Sequence, residues 1–544
     1  MRGYLARVRM KGITEHGFPR LASNLGTLVA TGRRSSPEDK ALFAEMMDEC
    51  CSQASTALGR NGVLTVGNDF SIKEVVLCIL ENERAGTFPK EKIDVWRAGI
   101  SRCVAKTTYT VIPPENPKKA QNWAIFGGAS EQARIMSGMG GDSSFVERQF
   151  AGQMKFFDKN GMYRDPGEPL VYDAVTRLQF MAAIDFGYDG ASRSEIERAL
   201  LASAEPTLLM QSATGEIPYG GRSAQFLHNE TFWCAVCEWY AAWFKACGDL
   251  RMAQRFRAAA RRAAESLESW MDAKPLRHVK NRYPRKTKYG CERYAYFDKY
   301  MVTMGSWAIL ARRFADESIP DADLSEDAAP SAFVSSDAFH IACIRAGGYS
   351  VQFDAPADPH YDGSGIGRIH RKGAPPAIAL SVPFAKEPSY ALDVTNATPL
   401  AILPGWKGED DEWEYAYGMK PEGLSAKTAE GKAWLSLSVP RGALPPLSWR
   451  SEVSSGGVAI SLEGDGEIAL VLPVFEFDGE RETSIRADED GVSVSIGGWT
   501  CRYDAPGCKV ADTGLVYGNR NGHYRRFEVR GRGRIVVNVS ISTE

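Results

Sequence analysis

The sequence predicts a two-part protein in which a domain of α-helices precedes an antiparallel β-sandwich. Apolar residues recur at helical spacing up to about residue 320, and short alternating runs follow. Between these two patterns lies an acidic stretch that carries two prolines, ESIPDADLSEDAAPSAFVS. We therefore expect a helical domain over residues 1–316, a linker over 317–335 and a sandwich over 336–544.

The helical half consists of amphipathic segments that are separated by short turns with Gly or Pro. Helices that follow one another through short loops pack as antiparallel neighbours, so this succession predicts a ring or solenoid of helical hairpins. No clean fixed-period repeat favours a regular solenoid. We expect about ten helices, and clear examples are 40–58, 119–137, 144–157, 171–187, 193–210, 230–247, 250–272 and 298–316.

The second half alternates apolar and polar residues in short runs, with Gly, Asp and Pro turns between them. Runs of this kind at a spacing near ten residues are typical of an antiparallel sandwich. The predicted strands lie at 349–353, 377–380, 434–437, 458–460, 468–472, 492–496 and 535–539.

Composition excludes several classes of protein. The chain has 544 residues, of which 44% are hydrophobic and 24% charged, as in ordinary globular proteins, and it can bury a large core. The formal net charge of -3 provides no overall field that would attract nucleic acid or an anionic membrane, so neither is expected as a partner. Homo-oligomerisation is left open.

The cysteines and the N-terminus predict a cytoplasmic protein. The eleven cysteines are odd in number and most lie in apolar helical surroundings, which is typical of free thiols in a reducing compartment. Cys234 and Cys237 form a C-x-x-C inside a buried-looking helix, with no second Cys or His pair at ligand spacing, so we expect no metal. The first residues, MRGYLARVRMKGITEHGF, lack the apolar core of a signal peptide, and no apolar run approaches membrane-spanning length.

Polar residues in the helical half cluster in the loops between helices, where a rigid scaffold usually presents functional groups. In the first cluster, Asn122 and Trp123 open a helix and could hydrogen-bond and stack on a sugar. The alternative is an N-cap beside a core tryptophan. The second cluster brings Arg164, Tyr172 and Asp173 to a loop-to-helix junction, where a local Arg–Asp pair in a turn is the alternative.

The third cluster is the sequence GGRSAQFLHNE, which directly precedes the most aromatic helix in the chain. A helix start needs one capping residue, whereas this string supplies Arg222, Gln225, His228, Asn229 and Glu230 together. We interpret the string as a functional loop.

The fourth cluster, residues 278–300, interleaves tyrosines with basic residues, which suits an anionic sugar better than a merely solvated face. If the segment is helical, Tyr296 and Tyr300 at i and i+4 point to one side. Glu292, Asp298 and Lys299 lie in the same segment.

The fifth cluster lies in the predicted sandwich. Arg368 and His370 are two residues apart and therefore share one face of a strand. They could reach across the domain boundary into the site, or form an exposed basic strand. The sequence contains no Walker A motif, no G-x-S-x-G, no H-E-x-x-H and no EF-hand loop, which argues against kinase, serine-hydrolase and zincin functions.

The two-domain layout, together with GGRSAQFLHNE and KNRYPRKTKYGCERYAYFDKYM, resembles the (α/α)-toroid carbohydrate-active enzymes, above all the heparinase II/III-like polysaccharide lyases. The resemblance implies an N-terminal (α/α) toroid, an oligosaccharide substrate and β-elimination at a uronic acid without a cofactor. In that family an Asn–His pair and a Tyr carry the reaction. Carried over, Asn229 neutralises the uronate carboxylate, His228 assists, and Tyr296 or Tyr300 is the base.

The same resemblance implies that Arg222, Lys299 and Arg368 hold the uronate. Glu230 does not fit a lyase, and it supports a glycoside hydrolase of the glucuronidase kind, in which Glu230 pairs with Asp173, Glu292 or Asp298. A third alternative is a non-catalytic glycan-binding protein. A cytoplasmic enzyme meets short imported oligosaccharides, so we expect exo-action on chain ends.

Overall fold

In a computed structural model of the chain, a ring of helices is followed by two packed antiparallel sheets. The structure describes residues 1–56, 67–109, 120–271, 274–320, 329–418 and 420–543. Within these ranges no helix is both long enough and apolar enough to cross a bilayer.

The helices confirm the predicted periodicity over the first part of the chain. They are α1 (Arg2–Lys11), α2 (Gly17–Ala30), α3 (Pro37–Gln53), α4 (Asn68–Arg84), α5 (Lys90–Ser101), α6 (Ala105–Thr108), α7 (Asn122–Met136), α8 (Ser143–Met154), α9 (Leu170–Asp185), α10 (Arg193–Ala202), α11 (Ala204–Met210), α12 (His228–Ala246), α13 (Leu250–Glu268) and α14 (Phe297–Phe314).

Six of these helices close into a ring. Helix α2 packs on α4, α4 on α7, α7 on α9, α9 on α12, α12 on α14, and α14 returns to α2. Outside the ring, α3, α8, α10 and α13 each pack on a ring helix next to them in sequence. This arrangement of inner and outer helices is an (α/α) toroid, as predicted, and one continuous apolar core joins its helices.

The strands form a four-stranded and an eleven-stranded antiparallel sheet that share a second core, which is the predicted sandwich. The small sheet has the order β1-β2-β3-β4, and the main path of the large one is β11-β12-β13-β15-β10-β9-β8-β7, with β14 on β15, β5 on β10 and β6 on β5. The strands are β1 (Ser331–Val334), β2 (Ile341–Ala346), β3 (Tyr349–Asp354), β4 (Gly365–Arg371), β5 (Leu403–Lys407), β6 (Trp413–Tyr415), β7 (Glu422–Ala429), β8 (Lys432–Arg441), β9 (Leu444–Ser454), β10 (Gly457–Phe477), β11 (Ser484–Asp488), β12 (Gly491–Ile496), β13 (Trp499–Asp504), β14 (Lys509–Asn519) and β15 (Gly522–Thr543).

Three details differ from the sequence predictions. Strand β1 lies inside the segment predicted as a linker, of which 321–328 is outside the described residues. The segment predicted as a strand at 377–380 begins instead with a 3₁₀ turn, Pro376–Ile378. Pro375 and Pro376 have no N–H to donate to a sheet. The predicted strands 458–460 and 468–472 are one continuous strand, β10, with a bulge between Glu463 and Glu467.

Candidate functional site

A cavity of about 400 Å³ lies at one mouth of the toroid. Every ring helix contributes a residue from its first turn or its N-cap. These residues are His16 of α2, Phe70 of α4, Asn122 and Trp123 of α7, Val171 and Tyr172 of α9, His228 of α12, and Lys299 and Tyr300 of α14. The N-terminal ends of all six ring helices therefore meet at this cavity.

These helix ends favour a negatively charged ligand. None of the six ring helices has an N-cap side chain that accepts from its first turn. Outside the ring, by contrast, α3, α8 and α13 are capped by Ser36, Asp142 and Asp249. The N-terminus of a helix carries a partial positive charge, so six such ends contribute a positive field at the cavity.

Two cationic side chains add to this field, each balanced by one carboxylate. Lys299 Nζ lies 2.7 Å from Glu15 Oε2, and both side chains are partly exposed at the cavity. Arg20 is buried and pairs with Glu74 at 2.9 Å. Arg20 also donates to His16 Nδ1 at 3.1 Å, and burial together with the charges of Arg20 and Lys299 holds the pKa of His16 well below its ordinary value.

A chain of hydroxyl groups lines the opposite wall of the cavity. The hydroxyls of Tyr300 and Tyr172 are 2.8 Å apart, and Tyr172 lies 3.4 Å from Ser223 Oγ. Ser223 Oγ is in turn 3.1 Å from the hydroxyl of Tyr294. Such a chain can pass a proton from one oxygen to the next.

His228 lies against this chain. Its ring packs edge-on against Tyr300 with ring centroids 4.8 Å apart, and its Nδ1 has no hydrogen-bond partner among the described residues. Burial, with the nearby His278 and Arg20, lowers the pKa of His228 well below its ordinary value, so the imidazole is neutral. Burial and the Tyr172 hydroxyl raise the pKa of Tyr300, so its hydroxyl keeps its proton. The site thus pairs a neutral base with a protonated acid.

The loop that carries Ser223 has a strained backbone, and residues outside the toroid hold it in place. Gly221 has φ +72°, and a Cβ there would lie 2.8 Å from Pro169 Cβ, so only glycine fits. Ser223 and Gln225 adopt left-handed φ values of +64° and +65°. Non-glycine residues rarely keep this conformation unless their surroundings impose it, and such strain clusters at functional sites.

The sheet domain imposes this conformation. The N–H of Ser223 donates to Glu292 Oε1 at 2.6 Å, and Arg520 of the sheet domain, at the β14–β15 turn, binds both oxygens of Glu292 at 2.6 and 2.9 Å. Asp362 accepts from the N–H of Gly221 at 2.6 Å. The hydroxyl chain of the toroid is therefore positioned by residues outside it.

Asn122 is fixed at the start of α7 by a buried carboxylate. Asp165 Oδ1 accepts from the backbone N–H and from the side-chain amide of Asn122, both at 3.0 Å. The second oxygen of Asp165 pairs with Arg222, whose guanidinium lies 4.4 Å above the ring of Tyr172. Burial raises the pKa of Asp165 although Arg222 and Asn122 donate to it. One proton of the Asn122 amide is left for a ligand.

The structure brings together part of the predicted site. Six of the residues singled out in the sequence line the cavity: Asn122, Trp123, Tyr172, His228, Lys299 and Tyr300. Arg222 lies directly behind them on Tyr172 and Asp165.

Two predicted catalytic residues lie elsewhere. Asn229 is fully buried and donates its amide to the backbone oxygen of Ser223 at 3.0 Å, so it supports the loop. Glu230 is fully buried in an ion cluster in which Lys280 Nζ lies 2.6 Å from Glu230 and 3.0 Å from Glu216. Successive residues of a helix point about 100° apart, and here Asn229 and Glu230 turn away from the cavity that His228 lines.

Tyr296 does not share a side with Tyr300, because the helical segment on which that expectation depended does not include Tyr296. Helix α14 begins at Phe297, and Tyr296 is its N-cap with extended ψ of 161°. The i, i+4 spacing therefore does not apply, and Tyr296 and Asp298 line a different cavity.

The remaining predicted residues hold the structure together outside the cavity. Asp173 forms a buried pair with Arg177 at 2.8 Å, and Arg164 pairs with Glu168 at the surface. Gln225 accepts from Asn521 of the sheet domain. Glu292 is held by Arg520 as described above.

Arg368 and His370 do reach across the domain boundary, as predicted, but they meet the helical domain away from the cavity. Arg368 donates to the backbone oxygen of Ile217 at 2.7 Å. His370 Nδ1 lies 2.9 Å from Thr214 Oγ1. Both side chains are buried, so the alternative of an exposed basic strand is wrong.

Several cavity residues were not singled out by the sequence analysis. Ser223 and Tyr294 lie within the third and fourth clusters, and the positive φ of Ser223 had no sequence signal. His16 and Arg20 lie outside the five clusters of polar residues. In the described ranges, no group of three or more His, Cys, Asp or Glu side chains could hold a metal ion.

No protein-family model and no curated protein matches this chain. Among solved structures, the chain is similar to heparan sulfate lyase HepC from Pedobacter heparinus, with 10% identity, a TM-score of 0.37, and coverage of 92% of this chain and 83% of that one. It is similar to the Streptomyces coelicolor A3 chondroitin AC lyase in complex with chondroitin sulphate, with 10% identity, a TM-score of 0.42, and coverage of 96% and 75%.

A third match is heparinase III, with 9% identity, a TM-score of 0.36 and coverage of 88% and 77%. At this level of similarity, support for a reaction must come from the side chains of the cavity.

Proposed function

We propose that this chain is a lyase that cleaves uronic-acid-containing oligosaccharides by β-elimination in the cavity at the mouth of the toroid. The observation that carries the proposal is the contact between neutral His228 and protonated Tyr300 inside a field that favours anions. β-Elimination needs one group that accepts a proton, one that donates a proton, and stabilisation of a carboxylate that gains charge. The cavity contains all three.

The elimination follows from these positions. The lone pair of His228 takes the proton from C5 of the uronate, and the charge moves into the carboxylate. The free amide proton of Asn122 and the partial positive charge at the N-terminal ends of the ring helices stabilise that charge. The C4–O4 bond then breaks as Tyr300 donates its proton to O4, and Tyr172 can resupply it through the hydroxyl chain. The product carries a C4–C5 double bond and no added water.

The carboxylate content of the cavity disfavours the hydrolase alternative. A glycoside hydrolase of the usual kind needs two carboxyl groups flanking the scissile bond. Among the described residues that line the cavity, Glu15 is the single carboxylate, and it is paired with Lys299. Glu230, on which the hydrolase alternative depends, is in the buried ion cluster.

The size of the cavity supports action on chain ends. A volume of about 400 Å³ is near the lower end of the range for small-molecule pockets. It fits a terminal residue better than the interior of a long polymer, so we include exo-action in the proposal. Comparable turnover on a polymer and on a disaccharide would contradict this part.

The test is incubation with uronate-containing oligosaccharides, followed by ultraviolet absorbance of the conjugated double bond and by mass spectrometry. We expect new absorbance and product masses that add up to the substrate mass. Tyr300→Phe should lose roughly 10²- to 10⁴-fold in rate. Tyr415→Phe is the matched control, because it removes a hydroxyl bound to Glu528 in the sheet domain. A product mass increased by water, without absorbance, would overturn the lyase proposal.

A further inference from the structure

A second cavity of about 260 Å³ lies on the other side of the first turn of α14. Its walls come from the segment 277–298, in which cationic and aromatic side chains alternate. The residues used below are Arg285, Lys288, His278, Tyr296, Phe297 and Asp298. Phe226 separates this cavity from the catalytic one, with its ring centroid 4.8 Å from that of His278 and 5.5 Å from that of Tyr300.

The rim of this second cavity is basic. The guanidinium of Arg285 lies 4.1 Å from the ring centroid of Phe297, and the ammonium of Lys288 lies 4.2 Å from that of Tyr296. The rings hold these cations in place without neutralising them. Neither cation has an ion-pair partner among the described residues, and Asp298 is the one described carboxylate in the lining. A ligand with one negative charge would complete this rim.

The inner wall of this cavity carries an unpartnered hydrogen-bond acceptor rather than a positive charge. His278 is 6% exposed, and its Nε2 lies 2.6 Å from the backbone oxygen of Ala295. A carbonyl oxygen only accepts, so Nε2 carries the proton and Nδ1 is an acceptor. Nδ1 has no partner among the described residues. A buried acceptor without a donor is costly, and a hydroxyl group of a ligand would satisfy it.

From these two demands we propose that the second cavity binds a sugar acid, with its carboxylate at Arg285 and Lys288 and a hydroxyl donating to His278 Nδ1. A simple anion such as sulfate can pair with Arg285 and Lys288, but it cannot donate to His278 Nδ1 because it has no proton to donate at neutral pH. The evidence for a binding site in this cavity comes from these side chains and does not depend on the proposed function. That its natural occupant is a fragment of the oligosaccharide substrate rests on the proposed function.

The test is isothermal titration of the whole protein with glucuronate and, separately, with inorganic sulfate. We expect two glucuronate sites in the wild type. In the double variant Arg285→Ala/Lys288→Ala we expect one detectable site, because the affinity of the second cavity falls about tenfold or more. Lys286→Ala is the matched control, since this exposed neighbour does not line the cavity, and it should keep both sites.

The outcomes separate this proposal from the proposed function. One site in the wild type and none in the double variant would support the second cavity while removing support for uronate binding at the catalytic one. The same number of sites in the wild type and the double variant would overturn the second site. Sulfate that binds as tightly as glucuronate would overturn the role of His278, and a His278→Asn variant with unchanged glucuronate affinity would do the same.

Discussion

Replacing Lys280 by methionine tests the interpretation of Glu230 as a structural residue. Lys280 lies between Glu216 and Glu230 in a cluster whose three side chains are at most 2% exposed. Methionine keeps most of the volume of the lysine stem and removes its charge. Two buried carboxylates then remain, with Arg368 3.6 Å from Glu216 as the one other ion-pair partner of either among the described residues.

The expected cost is about 3–5 kcal/mol of unfolding free energy, the range for removing one partner of a buried ion pair. The direction in which the unfolding free energy changes with pH follows from Glu216. Burial acts to raise its pKa, but the charges of Lys280, His370 and Arg368 outweigh burial and lower it to about 2. The lowered pKa stabilises the wild type above the ordinary value of 4.5, and this contribution is lost as pH falls from 4.5 to 2.

In the variant both carboxylates lose their lysine, so the lowered pKa of Glu216 rises, and the pKa of Glu230, which burial already raises in the wild type, rises further. The destabilisation should therefore be largest at neutral pH and should shrink as the solution is acidified towards about pH 5.

The assay is denaturant unfolding followed by circular dichroism at both pH values, with comparison of the first transition because two domains need not unfold together. Lys280→Met/Glu230→Gln should recover part of the loss, because one buried negative charge is removed. An unchanged midpoint in Lys280→Met would refute the reasoning. So would a Glu230→Gln variant that is folded as well as the wild type and yet inactive, since that pattern is expected of a catalytic carboxylate.

Three further predictions concern the cavity at the mouth of the toroid. In a profile of kcat/KM against pH, the acidic limb should lie below pH 6.5 because the pKa of His228 is lowered, and the alkaline limb above pH 10.0 because the pKa of Tyr300 is raised. Arg520→Met should reduce kcat about a hundredfold by releasing the Ser223 loop, whereas Arg525→Met, which breaks a partly exposed ion pair with Glu476, should not. Equal rates in the two variants would contradict the positioning of the loop by Arg520. Ser223→Gly should raise the unfolding free energy by about 1 kcal/mol by relieving a positive φ, while lowering turnover; a loss of stability would show that the loop is not strained.

Much of the fold could be predicted because each element carries its own periodicity. Helix α12 and strands β12 and β15 follow local apolar patterns that need no knowledge of their neighbours. The closure of the ring could not be predicted in this way, since it depends on packing of α14 against α2, far apart in the chain. The turn at Pro376 does not follow from the apolar pattern, since it depends on the missing N–H groups of Pro375 and Pro376.

The candidate site was predictable in part for a related reason. Polar residues at helix starts mark the mouth of a toroid, and this pattern found Asn122, Tyr172 and His228. It also led to Asn229 and Glu230, because a motif of consecutive residues says nothing of the direction in which each side chain points. On a helix that direction turns by about 100° per residue, so consecutive polar residues need not share one environment, and His228, Asn229 and Glu230 do not.

The errors share a physical cause that also explains how the site is built. A polar residue that is buried against another domain and one that meets a substrate look alike in sequence, since both leave water and need a partner. The loop 219–225 shows both uses. Tyr219 and Gly221 are hydrogen-bonded to Gln352 and Asp362 of the sheet domain, whereas Ser223 faces the cavity. A loop with left-handed residues keeps its shape only if such hydrogen bonds surround it, so the backbone N–H groups of this loop are tied to the sheet domain while the Ser223 side chain faces the cavity.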